Sequence, residues 1–140
     1  MKKNLKIANK LRSSGLRPTN QRIQIAEFLF EREKTFHFTV EQLDKLINSK
    51  NYSAKISLAT FYNTVHAFKK AGHLKEIFTS NNKNYFDTNV SSHHHFYDLN
   101  KNELIDIDLS KIELKNTPAP PVGKKIKDVG VIIRIENDYQ

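Results

Sequence analysis

Three consecutive histidines, His93, His94 and His95, stand in the stretch "SSHHHFYD" and make up half of the six histidines in this 140-residue chain. Neutral imidazole is a good ligand for divalent first-row metals. Side chains alternate along a strand, so His93 and His95 point the same way and can chelate one ion, with His94 turned to the opposite face. Carboxylates are available to complete such a site. Asp87 precedes the run by six residues, Asp106 falls on the next predicted strand, and His37 sits in the loop before the third predicted helix. Together they give three imidazoles and two carboxylates, a set that suits Fe²⁺, Mn²⁺ or Zn²⁺ and would tie an N-terminal domain to a C-terminal one. A histidine run on a solvated strand would look the same, and spacing alone leaves both readings open.

The chain contains no cysteine. That removes a disulfide scaffold, a thiolate zinc site, a Cys nucleophile and a thiol redox switch. The net charge of +8 is uneven: residues 1–80 hold 15 Lys/Arg against 6 Asp/Glu, and residues 81–140 hold 8 against 9. A basic first half joined to a near-neutral second half suggests a nucleic-acid module fused to something else. No stretch approaches the roughly 20 apolar residues of a membrane span. No apolar signal-peptide run follows the charged N-terminus, so a cytoplasmic protein with no membrane partner is expected.

The elements that must position these groups follow from periodicity and caps. Leu5, Ala8 and Leu11 predict a first helix over roughly residues 3–14, closed by Gly15. Thr19 caps a second, with Ile23, Ala26 and Phe30 on one face. Thr39 and Gln42 form a capping box for a third, whose apolar face is Leu43, Leu46 and Ile47. Ser57 caps a fourth, in which Leu58, Phe61, Val65 and Phe68 make one buried stripe ended by Lys69, Lys70 and Gly72. The other face of that helix shows Ala59, Thr60, Tyr62, Asn63 and His66, short or hydrogen-bonding groups rather than Glu/Lys pairs. "HLKEIFT" and "NYFD" read as strands around the turn "SNNK". Short helices followed by a β-hairpin make the winged-helix plan, in which such a face enters the major groove of DNA. His66 and His73, without carboxylates patterned around them, are assigned to the DNA side and to the wing. A three-helix domain with an accidental polar face is the alternative.

Beyond residue 88 the chain turns to β. "HHHFYDL" and "NELIDIDL" read as strands joined by "NKN", "IELKNTPAPPVGKK" as a loop, and "IKDVGVIIRIEND" as a strand with Val129, Val131, Ile133 and Ile135 in phase. Three strands are too few to be stable alone and would gain from pairing with a second copy.

"GLRPTNQR", "ISLATFYNTVHAFKKAGHLKEI", "NYFDTNVSSHHHF" and "NELIDIDL", in that order, resemble the ferric uptake regulator family of metal-sensing repressors. "ATFYNT", "FDTNVSSHHHFY" and "PPVGKKIKDVGVIIRI" are most similar to its haem-responsive iron response regulator branch, Irr. The resemblance implies an α+β homodimer, with a winged helix-turn-helix domain over residues 1–87 and a small α/β dimerisation and sensing domain over 88–140. By position it puts Tyr62 among the base-contacting residues with Asn63 beside it, and Arg17 near the DNA backbone or minor groove. It places His37, Asp87, His93, His95 and Asp106 in the interdomain metal site. The Cys-type structural zinc of many members is absent, and so is the Cys-Pro haem motif, so haem would use His93, His94 and His95.

The resulting expectation is a regulator, mainly a repressor, of iron and haem genes and not an enzyme. Its dimer binds an AT-rich palindromic operator through Arg17, Thr60, Tyr62 and Asn63. Divalent iron, manganese or zinc and haem act as effectors, and a haem-synthesis enzyme is a further partner. The alternatives are a manganese or zinc sensor of the same family, a metal-dependent hydrolase, and a nucleic-acid-binding protein without a sensor.

Overall fold

Four helices begin where a short polar side chain accepts an orphan backbone N–H. Asn4 caps α1 (Leu5–Ser13), Thr19 caps α2 (Asn20–Phe30), Thr39 caps α3 (Val40–Asn48) and Ser57 caps α4 (Leu58–Lys70). The capping box before α3 is complete: the Thr39 hydroxyl accepts the Gln42 N–H at 3.2 Å, and Gln42 Oε1 accepts the Thr39 N–H at 3.0 Å. Gly15 and Gly72 close α1 and α4 in the left-handed conformation, at φ 84° and 88°. In each case the next residue's N–H returns to the last turn, Leu16 to Leu11 O and His73 to Phe68 O, both at 2.9 Å.

These elements come from a computed structural model that describes residues 4–50, 54–79 and 83–139. Of the expected "SNNK" turn, residues 80–82 lie outside the described residues. The chain divides into two units, Met1–Val90 and Ser91–Gln140, so residues 88–90 stay with the first.

In the first unit, β2 (Lys75–Phe78) and β3 (Asn84–Asp87) pair antiparallel as the wing hairpin. A two-residue strand, β1 (His37–Phe38), adds to the other edge of β3, giving the order β1-β3-β2. His37 therefore lies on a strand, not in the loop its position before α3 suggested. No periodicity is visible in two residues; the pairing is fixed by β3 and extended by Thr88, whose hydroxyl and N–H bond to the Phe36 N–H and C=O. Asn48 joins α3 to the approach of α4, bonding both the N–H and the C=O of Ile56 at 2.9 and 2.8 Å. The α4 stripe is buried at Phe61, Val65 and Phe68, each 0% exposed, against Leu11, Ile25, Leu29 and Leu43. Burial of each such side chain contributes about 1.5–3 kcal/mol. Leu58 and Leu46, placed on apolar faces by the sequence, are exposed. Leu58 is the first residue of α4, ahead of the turn that packs, and the α3 face is completed by Val40 instead.

In the second unit, β4 (His94–Asp98) pairs antiparallel with β5 (Glu103–Ile107) and parallel with β6 (Ile132–Ile135), in the order β5-β4-β6. Asp98 Oδ1 accepts the Asn100 and Lys101 N–H groups and shapes the hairpin. A single 3-10 turn, Leu109–Lys111, follows β5, and the described residues of this unit include no α-helix. Strand β6 is shorter than expected: Val129 and Val131 precede the ladder, and the segment from 112 to 131 forms no regular element. Its prolines lack the N–H that a ladder needs.

Two outcomes follow for stability. Thr39→Ala removes the N-cap of α3 and lowers unfolding free energy by about 1 kcal/mol in chemical denaturation. His73 has its pKa lowered, first by burial and then by the charge of Lys10, while Nε2 lies 2.7 Å from Ser14 Oγ. The neutral ring is the folded form, so its contribution is full above the ordinary histidine value and is lost as pH falls below it. Denaturation between about pH 7 and 5 shows that acid-dependent loss reduced in His73→Gln.

Candidate metal centre

In the first unit, the strand pairing puts His37 directly opposite Asp87. His37 Nε2 lies 3.0 Å from Asp87 Oδ2. Asp87 is fully buried, and its other oxygen, Oδ1, accepts the Asn89 N–H at 2.8 Å. One carboxylate oxygen is thus held by the backbone while the second is turned to the imidazole, which pre-sets the direction of a ligand pair.

In the second unit, His95 sits opposite Asp106 across β4 and β5. His93 comes just before the strand, which begins at His94, yet its ring lies beside that of His95, with centroids 4.3 Å apart. Nε2 of His93 and of His95 lie 3.1 and 3.3 Å from the same oxygen, Asp106 Oδ1. Both imidazoles are buried, whereas Asp106 is partly exposed.

The donor set fits a cation. His93 Nδ1 lies 2.8 Å from Ser91 O. A carbonyl only accepts, so Nδ1 carries the hydrogen and Nε2 of the neutral ring presents its lone pair. That nitrogen faces a carboxylate oxygen, an arrangement that suits a cation held between them. A backbone carbonyl fixing the distal nitrogen is the usual support of a ligating histidine.

His94 does something else. It is 1% exposed, and its Nδ1 accepts the Val131 N–H at 2.9 Å. Its ring holds the approach to β6 in place. Alternation turns it away from His93 and His95, and its Nδ1 is engaged in the fold.

The expected DNA-reading residues Thr60, Tyr62 and Asn63 lie on the outward side of α4 with His66, while Arg17 is exposed in the α1–α2 connection. The Thr60 hydroxyl is within 2.9 Å of Ser57 Oγ and so belongs partly to the helix cap. Sequence reasoning missed Glu41, in the first turn of α3, whose carboxylate accepts the Tyr62 hydroxyl. That hydrogen bond, then burial, then the negative charge of Glu41 raise the Tyr62 pKa. The two residues are 21 positions apart, and only the packing of α3 on α4 reveals the pair.

Comparison with known proteins gives a consistent result. Residues 13–134 match the Ferric uptake regulator family. The peroxide-responsive repressor PerR of Staphylococcus epidermidis is 33% identical over 85 residues, which span 61% of this chain and 54% of that relative. A ferric uptake regulator from Pseudomonas aeruginosa solved with manganese superposes with TM-score 0.70 at 21% identity, covering 99% of this chain and 100% of that one. A zinc-bound manganese uptake regulator superposes with TM-score 0.69 at 27% identity, covering 94% and 98%.

Replacing His94 with Ala should speed amide exchange at Val131 about fivefold, the equivalent of one lost hydrogen bond. Hydrogen-exchange mass spectrometry of residues 129–135 measures it; an unchanged rate removes His94 from its structural role.

Proposed function

The chain belongs to the ferric uptake regulator family, and we propose that it is a divalent-metal-dependent DNA-binding repressor with His93, His95 and Asp106 as the core of its sensor. Members of the family are metal-responsive transcription regulators rather than enzymes; they bind DNA and form dimers. The observation that carries the reading is the convergence of two buried imidazole nitrogens on one carboxylate oxygen, with the His93 tautomer set for ligation. His37 and Asp87 form a second imidazole–carboxylate pair, within the first unit, that adds to the proposed ligands. When bound, the divalent ion supplies positive charge and a fixed ligand geometry. Iron and manganese suit this mixed set, and zinc is the competitor that affinity order favours, so availability decides which ion is read.

A haem-responsive role would draw on the same histidine run. An imidazole of His93, His94 or His95 would hold haem, while the rings of His93 and His95 lie side by side and face one carboxylate. A divalent ion fits such neighbours. A second reading comes from the 33% identical relative named as a peroxide-responsive repressor. In that case hydrogen peroxide lowers the affinity of the metal-loaded protein for its operator duplex, and an affinity unchanged by peroxide contradicts this second reading.

At the DNA, α4 enters the major groove of an AT-rich, two-fold operator. Tyr62 and Asn63 meet base edges, with Thr60 at the helix start, and Arg17 contacts the backbone. The homodimer forms through the second unit. On one face of its sheet, Ile105 and Ile133 are 46% and 39% exposed on either side of Phe96. A three-stranded sheet with such a face is stabilised by a second copy.

Manganese titration should give one ion per chain and raise affinity for an operator duplex selected from random DNA. Combined His93→Ala and His95→Ala should weaken metal binding by at least about 10-fold and abolish that gain. Retained metal-dependent binding in this variant sinks the sensor assignment. Tyr62→Ala should lower operator affinity by about 1–3 kcal/mol, read by fluorescence anisotropy.

A further inference from the structure

The proposed metal ligands of the first unit are chain neighbours of two core aromatics. His37 precedes Phe38 on β1, and Asp87 follows Phe86 on β3; the pairs His37↔Asp87 and Phe38↔Phe86 are adjacent rungs of one ladder. Adjacent rungs project to opposite faces. One face of this strand pair therefore carries the ligands and the other a ring stack. Phe38 lies on Phe86 with centroids 5.9 Å apart and planes 28° apart. Phe86 meets His66 of α4 edge-on, at 6.1 Å and 87°. His66 stacks on Tyr62, one helical turn earlier, at 6.5 Å and 22°. Tyr62 in turn donates its hydroxyl hydrogen to Glu41. Unbroken ring contacts thus run from the strand pair that bears His37 and Asp87 to the ring that α4 presents outward.

We infer that His66 is a positioning residue that couples metal ligation at His37 and Asp87 to the orientation of the Tyr62 ring. The inference rests on the reading of His37 and Asp87 as ligands and of Tyr62 as a DNA contact. Phe38 and Phe86 are 0% and 2% exposed, packed on all sides, so a shift of the rung beside them is passed on rather than absorbed. His66 and Tyr62 are exposed and have room to turn. Glu41 holds the far end of Tyr62, so its ring pivots about that hydrogen bond instead of swinging freely. A planar ring is what residue 66 contributes: it stands perpendicular to Phe86 and lies nearly parallel to Tyr62. Phenylalanine keeps both contacts and alanine keeps neither.

Spatial continuity is not coupling by itself, and the experiment reads coupling directly. The full chain is labelled with 3-fluorotyrosine, the Tyr62 resonance is identified by its loss in Tyr62→Phe, and diamagnetic Zn²⁺ is titrated in. The expected result is a shift of that resonance in the native protein. His66→Ala should lose the shift while still binding zinc, and His66→Phe should restore it. An undiminished shift in zinc-loaded His66→Ala, or no shift in the native protein, overturns the inference. A parallel anisotropy measurement with Mn²⁺ and the selected duplex separates this from the functional reading. His66→Ala should cut the metal-dependent gain in affinity by about two- to thirtyfold, with His66→Phe close to native. A native protein whose DNA affinity ignores manganese overturns the proposed function, while the ring shift still decides the role of His66.

Discussion

A strand cannot turn two successive side chains to the same face, and this constraint governs both units. On the β1–β3 rungs it sets His37 and Asp87 back to back with Phe38 and Phe86. On β4 it sets His95 and Asp106 on one face and His94 with Ile107 on the other. The proposed ligands are thereby placed on the reverse of the side chains that hold each sheet together. A group that binds an ion must keep its lone pair available, and a group that packs must be enclosed. Alternation lets neighbouring residues of one short strand meet both demands.

The three histidines show the division of labour most plainly. His93 and His95 turn their Nε2 atoms to Asp106, and a backbone carbonyl fixes the tautomer of His93. His94 accepts the Val131 N–H and secures the lead into β6. The middle histidine thus has a structural task in the fold, distinct from that of its two neighbours. In the first unit the same economy joins α3 to α4: Glu41 accepts the Tyr62 hydroxyl, so the helix before the turn also orients a residue of the helix after it.

Much of this was legible in the sequence, because the signals were local. Thr19, Thr39 and Ser57 cap helices as their types require, and the Thr39–Gln42 box is present in full. Period-two reasoning sent His93 and His95 one way and His94 the other although His93 lies outside the strand. What escaped was non-local. A two-residue strand has no period, so β1 is defined only by its partner 50 positions away in the His37↔Asp87 register. The Glu41–Tyr62 bond and the contact of His66 with Phe86 arise from helix and sheet packing, which no spacing rule encodes. Leu46 and Leu58 fit the apolar period but are exposed, because a helix end or edge need not face the core. The length of β6 was overread because β-branched residues mark a strand's tendency, while pairing along β4 sets its extent.

The central claim is that metal and DNA bind to one coupled system. Linkage then requires reciprocity: if the ion tightens DNA binding by some factor, DNA must tighten ion binding by the same factor. The most direct test is the Mn²⁺ affinity of the full chain measured with and without the selected operator duplex. The account predicts tighter manganese binding on DNA, by about 5–150-fold, matching the gain in DNA affinity on metal. Manganese affinity that is identical with and without DNA contradicts it.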